Sequence, residues 1–226
     1  EPRQVLDPSD PVTIGAMVGP EAFTEVRYLA HAKQMQALEL IPKIAQEFKD
    51  QFGRDSGGLI KTYKTEDAET IVIAMGSVLG TIKDTVDDLR AQGVKVGVLG
   101  ITSYRPFPIS AIRDATAKAT RIVVIEKCFA VGIGGIVSRD VRSAVRNRPQ
   151  PVLTVVAGLG GRAITKASVS KLLQDAIADK LELLTFLDLD WAVVNRVLDR
   201  EKQQRRSGPV AEGVLRDMGS TASRAA

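Results

Sequence analysis

The sequence predicts an α/β domain of three layers, in which a mostly parallel sheet lies between two layers of helices. Short, unbroken apolar runs rich in β-branched residues recur along the chain, as at Thr70–Met75 and Ile122–Ile125. These runs lack the polar alternation of a half-exposed strand, so we expect strands that are buried on both faces. Glycine, proline and helical patterns separate the runs, which is the arrangement of successive βαβ units.

The composition is that of a globular protein. The chain has 226 residues, of which 44% are hydrophobic and 26% charged, and its net charge is +4. Basic residues cluster at 139–148 and 196–206, but only 4% of the chain is aromatic. We interpret both clusters as solvated helix faces and exclude nucleic acid as a partner, because single-stranded binding sites combine basic with aromatic side chains.

The sequence also gives expectations about cellular location and about whether it belongs to a longer subunit. The single cysteine cannot form an internal disulfide, which fits a reducing compartment, so we predict a cytoplasmic location. No apolar run approaches the roughly 20 residues that a membrane span requires, and no signal peptide is visible. The chain opens on Glu1 in what resembles the middle of a protein, and we expect it to be part of a longer subunit.

Residues 1–58 are predicted to be a connector and helical arm that belong with a preceding domain. The segment Glu1–Pro11 is rich in Pro and Asp, and Val12–Val18 could form a short strand. A helical pattern follows from about Ala22 to Phe52, with a discontinuous apolar stripe and Pro42 inside it. Proline removes a backbone donor, so we expect a kink or a split there. A narrow stripe needs a surface to cover it, and we expect the arm to dock on a neighbouring domain.

Residues 59–180 are predicted to form the α/β domain, with Leu59–Lys64 as an edge strand. After the strand Thr70–Met75, Ser77 offers a hydroxyl to cap the next helix, and Gly93 suits the left-handed end of that helix. The other strands and helices are predicted at Val94–Ile101, Pro108–Lys118, Arg121–Glu126, a helix ending near Arg146, Pro151–Ala157, and a helix capped by Thr165 that ends near Ala178.

Residues 181–226 are predicted to be a helical extension and a tail. Leu181–Leu187 fits a strand or a helical turn, and Asp190 is placed to cap a helix from Trp191 to about Gln204.

Two glycine-rich turns could hold an anion. Gly132-Ile-Gly-Gly135 follows a strand and precedes a helix, and backbone N–H groups at a helix start attract phosphates. A tight turn explains this motif more simply, because it lacks the spacing of a dinucleotide fingerprint. Gly158-Leu-Gly-Gly-Arg162 has the same two interpretations. Our candidates for cofactor binding are Gly132, Gly134, Gly135 and Ser77, the last because it follows the carboxyl end of a strand.

The residues supply no catalytic group that we can assign, and no metal site. The only histidine, His31, lies on the arm and is interpreted as a surface residue. The only cysteine, Cys128, could be an activated thiol near a helix start, although a buried structural residue is the favoured interpretation. One Cys and one His cannot form a metal site.

Several motifs nevertheless resemble the 2-oxoacid:acceptor oxidoreductases, and in particular the pyruvate:ferredoxin oxidoreductases. The resemblance is carried, in the family's order, by Gly19–Tyr28, Glu47–Arg54, Glu66–Ser77, Gly93–Val98, Arg105–Pro108, Gly132–Gly135 and Ala157–Arg162. It covers approximately Asp7 to Ala178 and leaves Leu181–Ala226 unplaced. The chain looks like the C-terminal part of an α subunit, with a fold of the transketolase C-terminal type.

The resemblance implies an enzyme in which thiamine diphosphate decarboxylates a 2-oxoacid, electrons leave through iron–sulfur clusters, and coenzyme A takes the acyl group. It implies partners: a thiamine-binding β subunit, a γ subunit, a ferredoxin-like δ subunit, and ferredoxin or an NAD-reducing subunit. It places the groups that contact substrate and thiamine outside this chain, so the expected role here is structure and assembly. Pyruvate is the expected substrate, and phenylglyoxylate is an alternative.

Two other functions stay open from the sequence. One is a stand-alone α/β module that binds an anion or coenzyme A at Gly132–Arg139. The other is a subunit of a transketolase-like sugar enzyme, which would share the fold, although the arm beginning at Gly19 argues against it.

Overall fold

The structure is a computed structural model and describes residues 7–9, 11, 15–203, 214 and 218. Within these residues the elements are α1 Phe23–Phe52, β1 Ile60–Tyr63, β2 Thr70–Ala74, α2 Val78–Ala91, β3 Val96–Ile101, α3 Ile109–Ala115, β4 Arg121–Glu126, α4 Val137–Ala144, β5 Val152–Val156, a 3-10 turn Leu159–Gly161, α5 Lys166–Ile177, β6 Leu184–Phe186 and α6 Trp191–Gln203.

The strands form one six-stranded sheet in the order β1-β3-β2-β4-β5-β6. Only the pair β1–β3 is antiparallel, while the other neighbours run parallel. The mostly parallel sheet is therefore confirmed, and so is the edge strand predicted at 59–64. The segment 181–187, left open between strand and helix, contains β6, which pairs with β5. This strand lies beyond residue 180, where the predicted domain ends, and the division into domains stays a prediction.

Helices cover both faces of the sheet, which confirms the three layers. On one face Val72 of β2 packs in a cluster with Ile82 of α2 and Leu173 of α5. On the other face Ile73 of β2 packs in a second cluster that includes residues of α3 and α4. Successive side chains of a strand point to opposite faces, so a strand covered on both sides is apolar throughout, and all five residues of β2 are buried.

The arm is one continuous helix, α1, in which Pro42 lies at an interior position. Of the kink or split predicted at Pro42, the split is excluded, because the helix is continuous from Phe23 to Phe52. The helix ends at Gly53, whose φ of 65° is left-handed and whose N–H bonds to the carbonyl of Lys49. No residue of α1 is buried. In the preceding segment residues 15–18 are not a strand, contrary to the prediction for Val12–Val18, and 12–14 lie outside the described residues.

Four residues were predicted to begin or end helices, and the structure tests each of them. Thr165 caps α5 by accepting from the N–H of Ser168 at 3.1 Å, and Asp190 accepts from Val193 at 3.0 Å, both as predicted. Gly93 has the expected positive φ, 84°. The cap predicted at Ser77 is wrong: its hydroxyl makes no capping bond, because its φ of −64° and ψ of −25° are already helical rather than extended as at an N-cap.

Among the described residues, no helix combines the length and the apolar character that crossing a membrane would require.

Candidate functional site

A cavity of about 620 Å³ opens where the carboxyl ends of β2 and β4 meet. The helix that follows β2 packs on one face of the sheet and the helix that follows β4 packs on the other. In open parallel sheets this change of direction leaves a crevice in which ligands bind. The cavity volume is within the range of small-molecule sites, about 300–1,000 Å³.

Four chain segments supply the walls of the cavity: those at the ends of β2, β4 and β5, and the first residue of α4. Its polar lining consists of Ser77 and Thr81 from the start of α2, Glu126, Lys127 and Cys128 from the end of β4, and Arg162 from the turn after β5. Its apolar lining consists of Met75, Val78, Ile125, Val137 and Ile164. The lining therefore combines two cationic side chains, Lys127 and Arg162, with an apolar part, called the floor below.

Glu126 is a buried carboxylate that caps α4 from a distance in the sequence. Only 6% of the residue is exposed. Its oxygens accept hydrogen bonds from the N–H groups of Ile136, Val137 and Ser138, at 2.8, 2.7 and 3.0 Å. These donors have no partner within the helix, and the positive end of the helix dipole favours a negative charge there. The protein thus fills the start of α4 with its own anion.

The glycines that were predicted to bind a cofactor belong to the turn that brings α4 to Glu126. Gly132 and Gly134 adopt positive φ values of 84° and 102° in a turn that the pair Ala130–Gly134 closes. A Cβ on Gly135 would lie 2.0 Å from Oε1 of Glu126, so this position has room only for glycine. None of the three glycines lines the cavity. The helix-start donors that an external phosphate would need are already bonded to Glu126, and the loop forms a tight turn.

The other predicted residues divide between the cavity and the surface. Ser77 lines the cavity, as do Gly158 and Arg162 of the second glycine-rich turn. Cys128 is exposed at the same site, so the favoured interpretation of a buried structural residue is wrong: the chain has left β4 before it reaches this position. His31 is exposed on α1, as predicted. The sequence analysis did not select Glu126 and Lys127, which also line the cavity. A charged residue at the end of an otherwise apolar, buried strand is unusual and could have pointed to Glu126.

A second polar group ties the turn after β3 to α4. The carboxylate of Asp140 accepts from the hydroxyl of Tyr104 at 2.8 Å and from Arg105 at 2.7 Å. The guanidinium of Arg105 lies 4.0 Å from the centre of the Tyr104 ring. Burial and the hydrogen bond to Asp140 raise the pKa of Tyr104 above its ordinary value, so the phenol stays protonated as the donor. We assign this group a structural role.

The residues of this chain do not fit the cofactors that the sequence resemblance implies. A cluster of iron and sulfide is held by about four cysteines, and the chain has one. The described residues contain no group of three His, Cys, Asp or Glu side chains placed to hold a metal ion. The start of α4, which the sequence offered as a possible phosphate site, is occupied by Glu126.

Comparison with known proteins identifies the central domain. Residues 68–169 match the family described as pyruvate:ferredoxin oxidoreductase core domain II. This part of the chain is therefore similar to a domain of that family. It begins two residues before β2 and ends within α5, so it contains every residue that lines the cavity.

Curated relatives extend the match beyond this domain. The chain is 41% identical over 178 residues to pyruvate synthase subunit PorA of Methanosarcina barkeri, covering 77% of this chain and 44% of the relative. It is 33% identical over 180 residues to ketoisovalerate oxidoreductase subunit VorA of Pyrococcus horikoshii, covering 77% of this chain and 46% of the relative. The chain therefore spans less than half the length of these relatives.

Among solved structures, a 2-oxoglutarate:ferredoxin oxidoreductase from Magnetococcus marinus aligns with 58% of this chain and 21% of that one, at 20% identity and a TM-score of 0.44. At that level the likeness carries no functional argument.

Proposed function

We propose that this chain is the second core domain, with its connecting arm, of the α subunit of a thiamine diphosphate-dependent 2-oxoacid:acceptor oxidoreductase. The observation that carries the proposal is the 41% identity to a pyruvate synthase subunit over 178 residues, together with the family match of residues 68–169. The single cysteine, which suits a reducing compartment, supports a cytoplasmic location.

The proposed reaction of the complete enzyme is the oxidative decarboxylation of a 2-oxoacid to the acyl-coenzyme A, with electrons passing through iron–sulfur clusters to ferredoxin or NAD. Pyruvate is the proposed substrate, because pyruvate synthase subunits are among the relatives. The match to a ketoisovalerate oxidoreductase subunit makes a branched 2-oxoacid the second choice, and an aryl 2-oxoacid such as phenylglyoxylate is a third.

Within that enzyme, we assign this chain to structure and assembly. Its donor set fits neither the clusters nor a diphosphate site, as described above. By contrast, α1 exposes large apolar side chains to solvent. Their exposed fractions are 54% for Phe23, 67% for Tyr28, 53% for Leu40 and 52% for Ile44. Apolar area of this kind is stabilised when another surface covers it, which is the role expected of an arm between subunits or domains.

The alternative functions have less support. A stand-alone module that binds an anion at Gly132–Arg139 would need the N–H donors that Glu126 occupies. A sugar-converting transketolase would share the sheet, but the curated relatives named above are 2-oxoacid oxidoreductase subunits.

Co-purification from the native source tests the proposal. We expect the tagged chain, expressed in the context of its full subunit, to bring down partners that contain thiamine diphosphate and iron–sulfur clusters. The recovered complex should reduce ferredoxin or a viologen dye when given pyruvate and coenzyme A. A chain that is recovered without any such partner would contradict the assignment.

The assembly role has its own test on α1. The double variant Leu40→Lys and Ile44→Lys should reduce partner recovery while leaving the thermal unfolding of the α/β domain unchanged, because neither side chain is buried in the chain itself. The matched control is Glu39→Lys with Lys43→Glu, two exposed positions on the same helix, which should leave recovery unchanged. Equal recovery with all three proteins would contradict the assembly role of the arm.

A further inference from the structure

We propose that the cavity at the carboxyl ends of β2 and β4 binds a small anion with an apolar body, with Lys127 and Arg162 holding the anionic group. The proposal does not depend on the oxidoreductase function, because the groups that it uses belong to this chain alone.

The charge balance of the cavity favours an anion. The one carboxylate in its lining is Glu126. Its oxygens accept hydrogen bonds from three backbone N–H groups, so its negative charge is offset by the start of α4. Lys127 and Arg162 line the cavity and are exposed. Within the described part of the chain Lys127 has no ion pair, and Arg162 donates one N–H to the carbonyl of Asp188, which leaves its other donors available. A guanidinium can bind a carboxylate or a phosphate with two parallel hydrogen bonds.

The start of α2 adds to this positive potential. The cavity lining includes Ser77 and Val78 at the first turn of this 14-residue helix, where the helix dipole is positive. The Ser77 hydroxyl is not used as a helix cap. It is therefore able to donate a hydrogen bond to a bound anion.

The floor of the cavity sets the second property of the ligand. Met75, Ile125 and Ile164 come from three separate segments and face one space. Ile125 is only 2% exposed, so the apolar surface that a ligand can cover comes mainly from the half-buried Met75, Val78 and Ile164. An inorganic ion would leave this apolar surface in contact with water, whereas a ligand with a hydrocarbon or aromatic part would cover it.

Matched aromatic probes test the proposal on the chain as it stands. The probes are 3-phenylpropionate as the carboxylate, phenyl phosphate as the phosphate, phenethylamine as the cation and benzyl alcohol as the neutral compound, each titrated calorimetrically. We expect saturable binding of at least one anionic probe, with no saturation by the amine or the alcohol in the same range. Which of the two anions binds more tightly identifies the anionic group. Equal binding of all four probes, or binding of none, would overturn the proposal.

Variants locate the anionic group. Lys127→Met and Arg162→Met should each weaken binding of the anionic probe by about tenfold, the typical effect of losing one charge-assisted hydrogen bond. Lys118→Met, an exposed lysine outside the cavity, is the control for net charge and should leave affinity unchanged. The three side chains are exposed, so folding should be retained, and thermal unfolding checks this. A double variant that binds like the parent would overturn the site.

The lone thiol gives a readout that does not depend on affinity. Cys128 lines the cavity and is the only cysteine of the chain, so alkylation by the uncharged reagent iodoacetamide reports on this place alone. A saturating anionic probe should slow alkylation several-fold in the parent and leave it unchanged in the Lys127→Met, Arg162→Met double variant. Alkylation that proceeds at the same rate with and without saturating probe would show that the probe binds elsewhere.

Discussion

Glu126 stabilises the fold by linking the end of one strand to the start of the following helix. Glu126→Gln keeps the shape of the side chain but replaces one acceptor oxygen by an amide that faces backbone N–H donors. We expect a loss of about 2–3 kcal/mol in the free energy of unfolding, because a charge-assisted bond is lost and a buried donor is left unsatisfied. Denaturant unfolding measures the loss. The control is Glu69→Gln, whose carboxylate is 61% exposed and paired with Lys95; a change of similar size there would contradict the argument.

Two glycines, one crowded by Glu126 and one in an open helix position, allow a matched pair of alanine substitutions. Gly135→Ala places a methyl group where Oε1 of Glu126 lies, so the carboxylate must leave its donors, and we expect a cost of about 1–3 kcal/mol. Gly80→Ala adds the same group inside α2, where nothing lies within 4 Å, and should stabilise the protein by about 0.5–1 kcal/mol through helix propensity. Thermal unfolding compares them, and shifts of the same sign would contradict this account.

At the residue scale the sequence predicted the local interactions better than the distant ones. Thr165 and Asp190 cap helices through residues three positions away, and such short spacings can be recognised in a sequence. Glu126 caps a helix that begins eleven residues later, and no short pattern encodes that bond. Ser77 was predicted to be a cap from its residue type and place, but Gly76, with a φ of 77°, makes the turn instead.

Strand β2 is the central element of the sheet, and Ile73 is completely buried on it. Ile73→Asp would place an unpaired charge between the sheet and the helices that cover it, and we expect a cost of about 3–5 kcal/mol. Denaturant unfolding, or loss of the folded protein on expression, would measure it. Thr62→Asp on the exposed face of the edge strand β1 is the control and should change stability little. Unchanged stability of the Ile73 variant would show that the strand is not buried.

The contact between α2 and the end of β1 should depend on pH. Hydrogen bonds from Lys64 and Tyr63 lower the pKa of Asp87 below its ordinary value of 3.8. Because the folded pKa is the lower one, this stabilisation is present above pH 3.8 and is lost as the pH falls through the folded value. Asp87→Asn should therefore lower the melting temperature near neutral pH and converge with the parent in acid. Asp84→Asn, exposed on the same helix, is the control and should change the melting temperature near neutral pH little; a loss as large as that of Asp87→Asn would contradict the assignment.

At the element scale, buried strands were predicted from continuous apolar runs, and β2, β4 and β5 lie within one or two residues of their predicted bounds. Strand β6 was ambiguous because three half-exposed residues carry too short a pattern to distinguish a strand from a helical turn. The order of strands, and with it the position of the cavity, depends on pairing between distant segments, which periodicity does not report.

At the scale of the whole molecule, the arm and the α/β domain should be separable. Helix α1 has 30 residues and no buried side chain, so this helix adds little packing to the core, and a chain that lacks residues 1–54 tests this. We expect the shortened chain to unfold cooperatively with a free energy within about 1 kcal/mol of the parent, as for surface changes remote from a core. Calorimetry measures this. A large loss of stability, with Phe23–Phe52 restored as the control, would show that α1 supports the core.

The two borders of the sheet have a consequence for behaviour at high concentration. Strand β1 has four residues and β6 has three, so each border presents few free backbone groups to an incoming chain. Short borders protect natural sheets against growth by strand addition. Concentrated solutions of the folded protein should thus stay free of thioflavin-positive fibrils.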